Sequence, residues 1–160
     1  MSPHSQTEPR PLERCAFHES SHATLAHHLG VAVSSVTLRP KGLTTFVDHI
    51  GDDLTALWVF VAGIAGEQVA FPATSVCWEG SDRAYAERAA FDLTAARTLE
   101  EMDARINAAF VAVSEILVEH WRKVERLAFS LLTAGSHRLE ADDVRRLVGF
   151  TPCRTMALAS

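Results

Sequence analysis

The feature that most restricts the fold is an apolar run, LTALWVFVAGIAG, at residues 54–66. Asp52 and Asp53 precede this run and Glu67 follows it. A membrane-spanning helix needs about 20 apolar residues, so the run is too short to cross a bilayer. It therefore predicts a buried helix at the core. We expect Asp52 or Asp53 to cap that helix, which extends to about Phe71 before the next proline ends it.

The remaining hydrophobic pattern predicts a mainly α-helical fold. Alanine-rich segments and apolar residues at three- and four-residue spacing are typical of helices, whereas short β-branched stretches are typical of strands. We expect further helices over about residues 11–29, 81–96, 100–134 and 139–149, and two short strands over about 33–37 and 44–47, separated by a turn at Pro40-Lys41-Gly42. This order predicts a small β-hairpin or sheet beside the first helix.

Length and composition favour one domain. The 160 residues are 48% hydrophobic and 22% charged, a balance typical of a globular domain that buries a core. We expect a flexible leader over residues 1–10, the domain over 11–149 and a tail over 150–160. The net charge of −5 argues against a nucleic-acid-binding face, which would be basic. The three cysteines lack disulfide or zinc-ribbon spacing, so we expect a cytoplasmic protein. Because the apolar run is short, we expect no membrane segment.

The first predicted helix contains the sequence His18-Glu19-Ser20-Ser21-His22. Histidines four residues apart lie on one face of a helix, where both imidazoles can bind one Zn²⁺ ion. Glu19 is rotated by about 100° from His18, so it would not bind the metal but can act as general base on a zinc-bound water. Amide hydrolysis needs a polarised carbonyl, an activated water and a group that carries the water's proton, and a metal bound by this motif can provide them together with Glu19. The same spacing also arises by chance, when two unrelated histidines lie on a solvated helix face.

A zinc site of this kind needs a third protein ligand from another segment. His27 and His28 lie on the same helix more than a turn beyond His22, so they cannot easily converge with it. Glu67, in the apolar helix, and Asp82, at the start of the next helix, are better placed. The residues alone leave the choice between these two acids open.

Several segments resemble the peptidase domain of the FtsH-type ATP-dependent zinc metalloproteases. The most specific are AFHESSHATLAHHLG, which is similar to the family's His-Glu-Ala-Gly-His helix, and EGSDRAYAER, which is similar to its Ala-Ser-Asn-Asp segment. VSSVTLRPKGLTTFV is similar to the family's edge strand beside the cleft, and VAGIAGEQVAF to its glutamate-bearing helix. With the C-terminal helices included, the resemblance covers about residues 12–148.

The resemblance implies a zinc-dependent metalloendopeptidase that cleaves flexible or unfolded polypeptide. The implied metal ligands are His18, His22 and Asp82, with Glu19 as the general base. Glu67 is implied to hold a ligand histidine by its other ring nitrogen. An extended substrate would lie against the edge strand by strand addition. The residues implied to contact it are Leu43, Thr44, Thr45 and Phe46.

The chain departs from the family at several positions, none of which removes an implied ligand. Ser20 and Ser21 replace the family's Ala-Gly pair but are still small, which preserves close helix packing. Gly63 keeps one glycine of a Gly-Gly pair, while Ala62 and Ile64 replace its neighbours. No Gly-x-x-x-x-Gly-Lys-Ser/Thr loop is present, so we expect no ATP hydrolysis by this chain. The sequence leaves open whether the chain forms a homo-oligomer or receives its substrate from a separate ATPase partner.

Two other interpretations remain at the level of sequence. The chain can be a metal-binding regulatory or adaptor domain that keeps the peptidase fold with little turnover. The intact Glu19 argues against this, because a decayed enzyme is expected to lose its general base first. In a third interpretation the motif is accidental and the chain is a helical interaction module.

Overall fold

The computed structural model describes residues 10–39, 41–48, 50–75, 78, 80–94 and 98–149. Within them the helices are α1 (Pro11–His28), α2 (Asp53–Ala70), α3 (Ser81–Thr94), α4 (Leu99–Glu119), α5 (Trp121–Thr133) and α6 (Ala141–Val148), and the strands are β1 (Val33–Thr37), β2 (Leu43–Phe46) and β3 (Arg138–Glu140). The predicted fold class, mainly α with a small antiparallel sheet, is confirmed. The predicted tail, the leader before Arg10, and Pro40 of the predicted turn lie outside the described residues.

The apolar run lies within α2, which packs against α1, α3 and α4. Asp52 caps this helix by accepting a 2.9 Å hydrogen bond from the backbone N–H of Thr55. Val59, Val61 and Ala65 have no exposed surface. Among the described residues, α2 alone is long and apolar enough to cross a membrane by length and composition, and half of it is buried inside the protein. Core helices meet the same criterion.

α1 and α2 approach each other closely because small residues line their contact. Ser20 and Ser21 on α1 are fully buried. A Cβ atom added to Gly66 of α2 would lie 2.5 Å from the Cβ of Ser21, far closer than two such atoms can pack. A larger side chain at either position would push the helices apart. The packing therefore agrees with the role predicted for the two serines.

The two predicted strands form an antiparallel hairpin in which Thr37 lies opposite Leu43. The strand order is β2-β1-β3, so β2 is at an edge of the sheet, and it contacts α1. The hairpin therefore lies beside the first helix, as predicted.

The prediction for residues 139–140 is wrong, because they belong to β3 and not to the start of the last helix. Arg138 and Glu140 pair with β1, and α6 begins only at Ala141. Glu140 caps α6 in a reciprocal arrangement with Asp143. A three-residue strand is too short to show a hydrophobic period, and only its pairing with β1 distinguishes it from a helix start.

The long helix predicted over about 100–134 is also wrong, because it divides at His120 into α4 and α5. Apolar residues keep helical spacing across the break, so the sequence pattern does not reveal it. The two halves bury different faces: α4 packs on α2 and α3, whereas α5 packs on α1 and α6. The break therefore coincides with a change of packing partners, which a periodic pattern does not encode.

Candidate metal centre

α1 carries His18 and His22 on a face that packs against α2. Their ring centroids lie 4.7 Å apart. α2 passes next to both rings at Gly63, where an added Cβ atom would lie 2.5 Å from His22 Nε2 and 2.5 Å from His18 Cε1. The two imidazoles occupy the space that any other residue's side chain would fill. This contact explains why a glycine is needed at position 63.

We expect Gly63→Ala to weaken zinc binding by more than about 100-fold, because it displaces both imidazoles at once, whereas losing one outer partner costs about 10–100-fold. Overpacking of this kind also costs about 1–3 kcal/mol of folding free energy. Chelator competition on samples shown to be folded by circular dichroism measures the first effect. Gly51→Ala is the control, since nothing lies within 4 Å of a Cβ there. Equal zinc affinity in the two variants would contradict this arrangement.

α3 brings Asp82 to the same point from a distant part of the chain. Asp82 Oδ2 lies 2.9 Å from His18 Nε2 and 3.3 Å from His22 Nε2, and the two Nε2 atoms lie 3.0 Å apart. Ligand atoms bound to zinc at about 2.0–2.1 Å in a tetrahedron are separated by about 3.3 Å. The spacing of these three atoms is therefore close to that of a zinc ligand set, so the three side chains could hold a metal ion.

The Nδ1 hydrogen bonds establish which ring nitrogens carry protons when both imidazoles are neutral. His22 Nδ1 lies 2.6 Å from the carbonyl oxygen of Val59, which can only accept, so this Nδ1 donates. His18 Nδ1 lies 2.7 Å from Glu67 Oε1 and donates to that carboxylate. Both Nε2 atoms then present lone pairs to each other and to Asp82. Three converging acceptors require a cation between them, either a proton or a metal ion.

The charges around His18 decide how strongly it holds a proton when no metal is bound. Burial by itself lowers the pKa of His18, but the hydrogen bonds to Asp82 and Glu67 more than offset this and raise the pKa to about 9. Burial acts against ionisation of Asp82 as well, yet its bonds to His18 and His22 hold the pKa of this carboxyl well below its usual range. The cluster therefore attracts cations.

Zinc binding should consequently release about one proton below pH 9 and tighten with rising pH, since the metal needs a neutral imidazole. A raised pKa means that His18 is protonated below about pH 9, so each unit of pH gained below that value should raise the apparent zinc affinity about tenfold. Chelator competition between pH 6.5 and 9.5 measures this slope. An affinity that does not change over this interval would show that no proton is displaced from His18.

Glu67 lies behind His18, on the side away from Asp82. Its Oε1 bonds His18 Nδ1, while its Oε2 accepts hydrogen bonds from Arg14 Nε at 3.0 Å and from the terminal Arg14 nitrogen at 2.7 Å. Burial raises the pKa of Glu67, but the hydrogen bonds from His18 and Arg14 lower it by more, so the net shift is downward. Arg14 was not among the residues predicted for the site. Its position four residues before His18, on the same helix face, was the available signal.

Glu19 lies on the side of α1 that faces the sheet, with only 7% of the residue exposed. Its Oε2 accepts a 2.8 Å hydrogen bond from the Thr44 hydroxyl of β2. Its Oε1 lies above Gly42, where an added Cβ atom would be 2.6 Å away. Burial and the nearby acids raise the pKa of the Cys15 thiol, which also faces Gly42, to about 11, so it is neutral at physiological pH. Gly42 was predicted only as a turn residue.

The four residues predicted to contact substrate have different surroundings. Leu43 is 53% exposed and Phe46 is partly buried against the core. The Thr45 hydroxyl lies 2.7 Å from the hydroxyls of Ser34 and Ser35, and Thr44 points instead towards Glu19. Leu43, Thr44 and Phe46 line one cleft of about 1350 Å³ together with the metal centre, and Thr45 does not.

Two comparisons with known proteins identify no relative. Neither a scan of protein-family models nor a search of curated proteins finds a match to this chain. The structure brings together His18, His22, Asp82, Glu19 and Glu67, all of which were singled out from the sequence. Their roles are therefore argued from geometry and chemistry.

Proposed function

We propose that this protein is a zinc-dependent metallopeptidase that hydrolyses peptide bonds in flexible or unfolded polypeptide. The observation that carries the proposal is the convergence of three acceptor atoms, on His18, His22 and Asp82, in the cleft that also contains the Glu19 carboxylate. Two imidazoles and one carboxylate, with a fourth position left open, are a ligand set typical of catalytic zinc. The resemblance to FtsH-type peptidase domains favours the same reading.

The groups around the centre suit hydrolysis of an amide. When bound, zinc polarises the scissile carbonyl and lowers the pKa of a water ligand to about 7. Glu19 accepts a proton from the attacking water and then donates it to the departing amine, so that one water is consumed and the C–N bond is replaced by a carboxyl and an amine. The hydrogen bond from Thr44 occupies Oε2, which leaves Oε1 for this proton. Glu67 and the Val59 carbonyl hold the two ligand rings in place.

The edge strand β2 supplies a docking surface for an extended chain. The Val47 N–H donates to the Ala32 carbonyl at 2.9 Å, which directs the backbone groups of Val47 towards β1. Backbone groups alternate along a strand, so those of Thr45 also face β1, while those of Thr44 and Phe46 face the open edge. A substrate strand can pair there beside the metal centre. Strands already paired within a folded protein cannot, so folded substrates would need a separate ATPase partner.

Aromatic side chains near the metal centre favour apolar residues in the substrate. Phe60 and Tyr85 stack with ring centroids 4.8 Å apart, and both line the cleft. Tyr85 lies one helical turn after Asp82 and is 56% exposed. Burying an apolar side chain against these rings is favourable, whereas backbone pairing with β2 reads side chains weakly. We therefore infer broad specificity with a preference for apolar side chains.

The proposal is tested with the purified full chain and unfolded casein. We expect about one zinc per chain, cleavage of casein that stops when a chelator removes the metal, and recovery when zinc is restored. ATP should have no effect on the rate. A protein reconstituted with zinc that has no tight site would overturn the proposal. Stoichiometric zinc without cleavage of any unfolded substrate would favour a metal-binding regulatory domain instead.

A further inference from the structure

The Thr44 hydroxyl joins the edge strand to the carboxylate assigned as general base. It lies 2.8 Å from Glu19 Oε2 and 3.1 Å from the Glu19 backbone oxygen. Carboxylate and carbonyl oxygens only accept, so the hydroxyl donates its one proton, and the shorter contact is the one to Oε2. Thr44 is 9% exposed and Glu19 is 7% exposed, so water has little access to this contact. A buried carboxylate oxygen without this donor would lack a compensating hydrogen bond.

Position 42 completes the surroundings of the same carboxylate. Residues 42 and 44 are two apart on an extended segment and therefore lie on the same face, towards Glu19. Thr44 holds Oε2, while the missing side chain at Gly42 leaves room for Oε1. The two oxygens consequently differ, since Oε2 accepts a hydrogen bond from the strand and Oε1 lies over Gly42.

The backbone of Thr44 faces in a different direction from its side chain. By the alternation along β2, its N–H and C=O face the open edge, where a substrate strand would pair. One residue thus contacts the general base through its hydroxyl and the substrate through its backbone. We propose that Thr44 is a positioning residue that couples the docking of substrate on β2 to the orientation of Glu19. This inference rests on the proposed peptidase function.

The test compares Thr44→Val, which removes the hydroxyl but keeps the β-branched shape, with Thr44→Ser, which restores a hydroxyl. We expect Thr44→Val to lower kcat for an unfolded peptide by about 10- to 100-fold, because a displaced catalytic group loses its alignment. KM and zinc affinity should stay near the wild-type values, and Thr44→Ser should recover most of kcat. Thr133→Val is the matched control, since that hydroxyl donates to the Phe129 carbonyl on α5, outside the cleft.

A second readout does not depend on turnover. In zinc-loaded protein labelled with ¹³C-glutamate, the Glu19 carboxyl resonance is identified by its loss in Glu19→Gln. We expect it to move in Thr44→Val, to return towards its original position in Thr44→Ser, and to stay unchanged in Thr133→Val. An unchanged resonance in Thr44→Val, or a defect of that variant confined to KM, would overturn this inference. Wild-type protein that binds zinc but cleaves nothing would instead overturn the proposed function, so the two failures are distinguishable.

Discussion

Glu19→Gln is expected to bind zinc normally and to lose peptidase activity by about 100- to 10,000-fold, the contribution typical of a general base. The amide has the same shape as the carboxylate, but its oxygen cannot take the proton of the attacking water. Thr44 can still donate to the amide oxygen, which preserves the contact between α1 and β2. The measurement is a casein-cleavage assay beside a determination of zinc content.

The control for this variant is Glu115→Gln, which makes the same chemical change at an exposed position on α4. It should leave both activity and zinc content unchanged. A Glu19→Gln variant that loses zinc along with activity would show that Glu19 binds the metal, which would contradict its assignment as general base. Full activity with normal zinc would show that another group accepts the proton.

Asp82→Ala is expected to lose zinc at micromolar free metal, whereas Glu67→Gln should lower zinc affinity only about 10–100-fold. Asp82 Oδ2 lies within 3.3 Å of both Nε2 atoms, so its removal leaves two protein ligands, which rarely retain zinc against water. Glu67 bonds Nδ1 of His18, on the side of the ring opposite to the Nε2 that faces Asp82. Its loss loosens a ligand but does not remove one.

Whichever of Asp82→Ala and Glu67→Gln loses more zinc affinity identifies the third ligand. Asp92→Ala is the control, because it removes another carboxylate from α3. Asp92 pairs with Arg88 at the surface, where ion pairs contribute little to folding. Circular dichroism should show that all three variants remain folded. If a chelator-competition titration finds that Glu67→Gln loses zinc more completely than Asp82→Ala, then Glu67 is the third ligand and the assignment of Asp82 is wrong.

The features that could be predicted from the sequence are those that depend on local spacing and hydrophobicity. The spacing of His18 and His22 places both rings on one helix face whatever else the chain does, because helix geometry is local. The apolar run of α2 predicts burial by the same local reasoning. The candidate for a third ligand was different, since the residues left Glu67 and Asp82 as alternatives and only the resemblance favoured Asp82. The structure places Asp82 between the two rings and Glu67 behind one of them.

What only the tertiary structure decided are the contacts between segments distant in sequence. Thr44 and Glu19 are separated by 25 residues and Glu67 and Arg14 by 53, and no local pattern relates the members of either pair. The division of α4 from α5 at His120 depends in the same way on which helices each half packs against. Local periodicity determines which face of an element is apolar or carries ligands. The partner that meets this face depends on how the whole chain packs, and that packing placed Gly63 and Asp82 next to the two histidines.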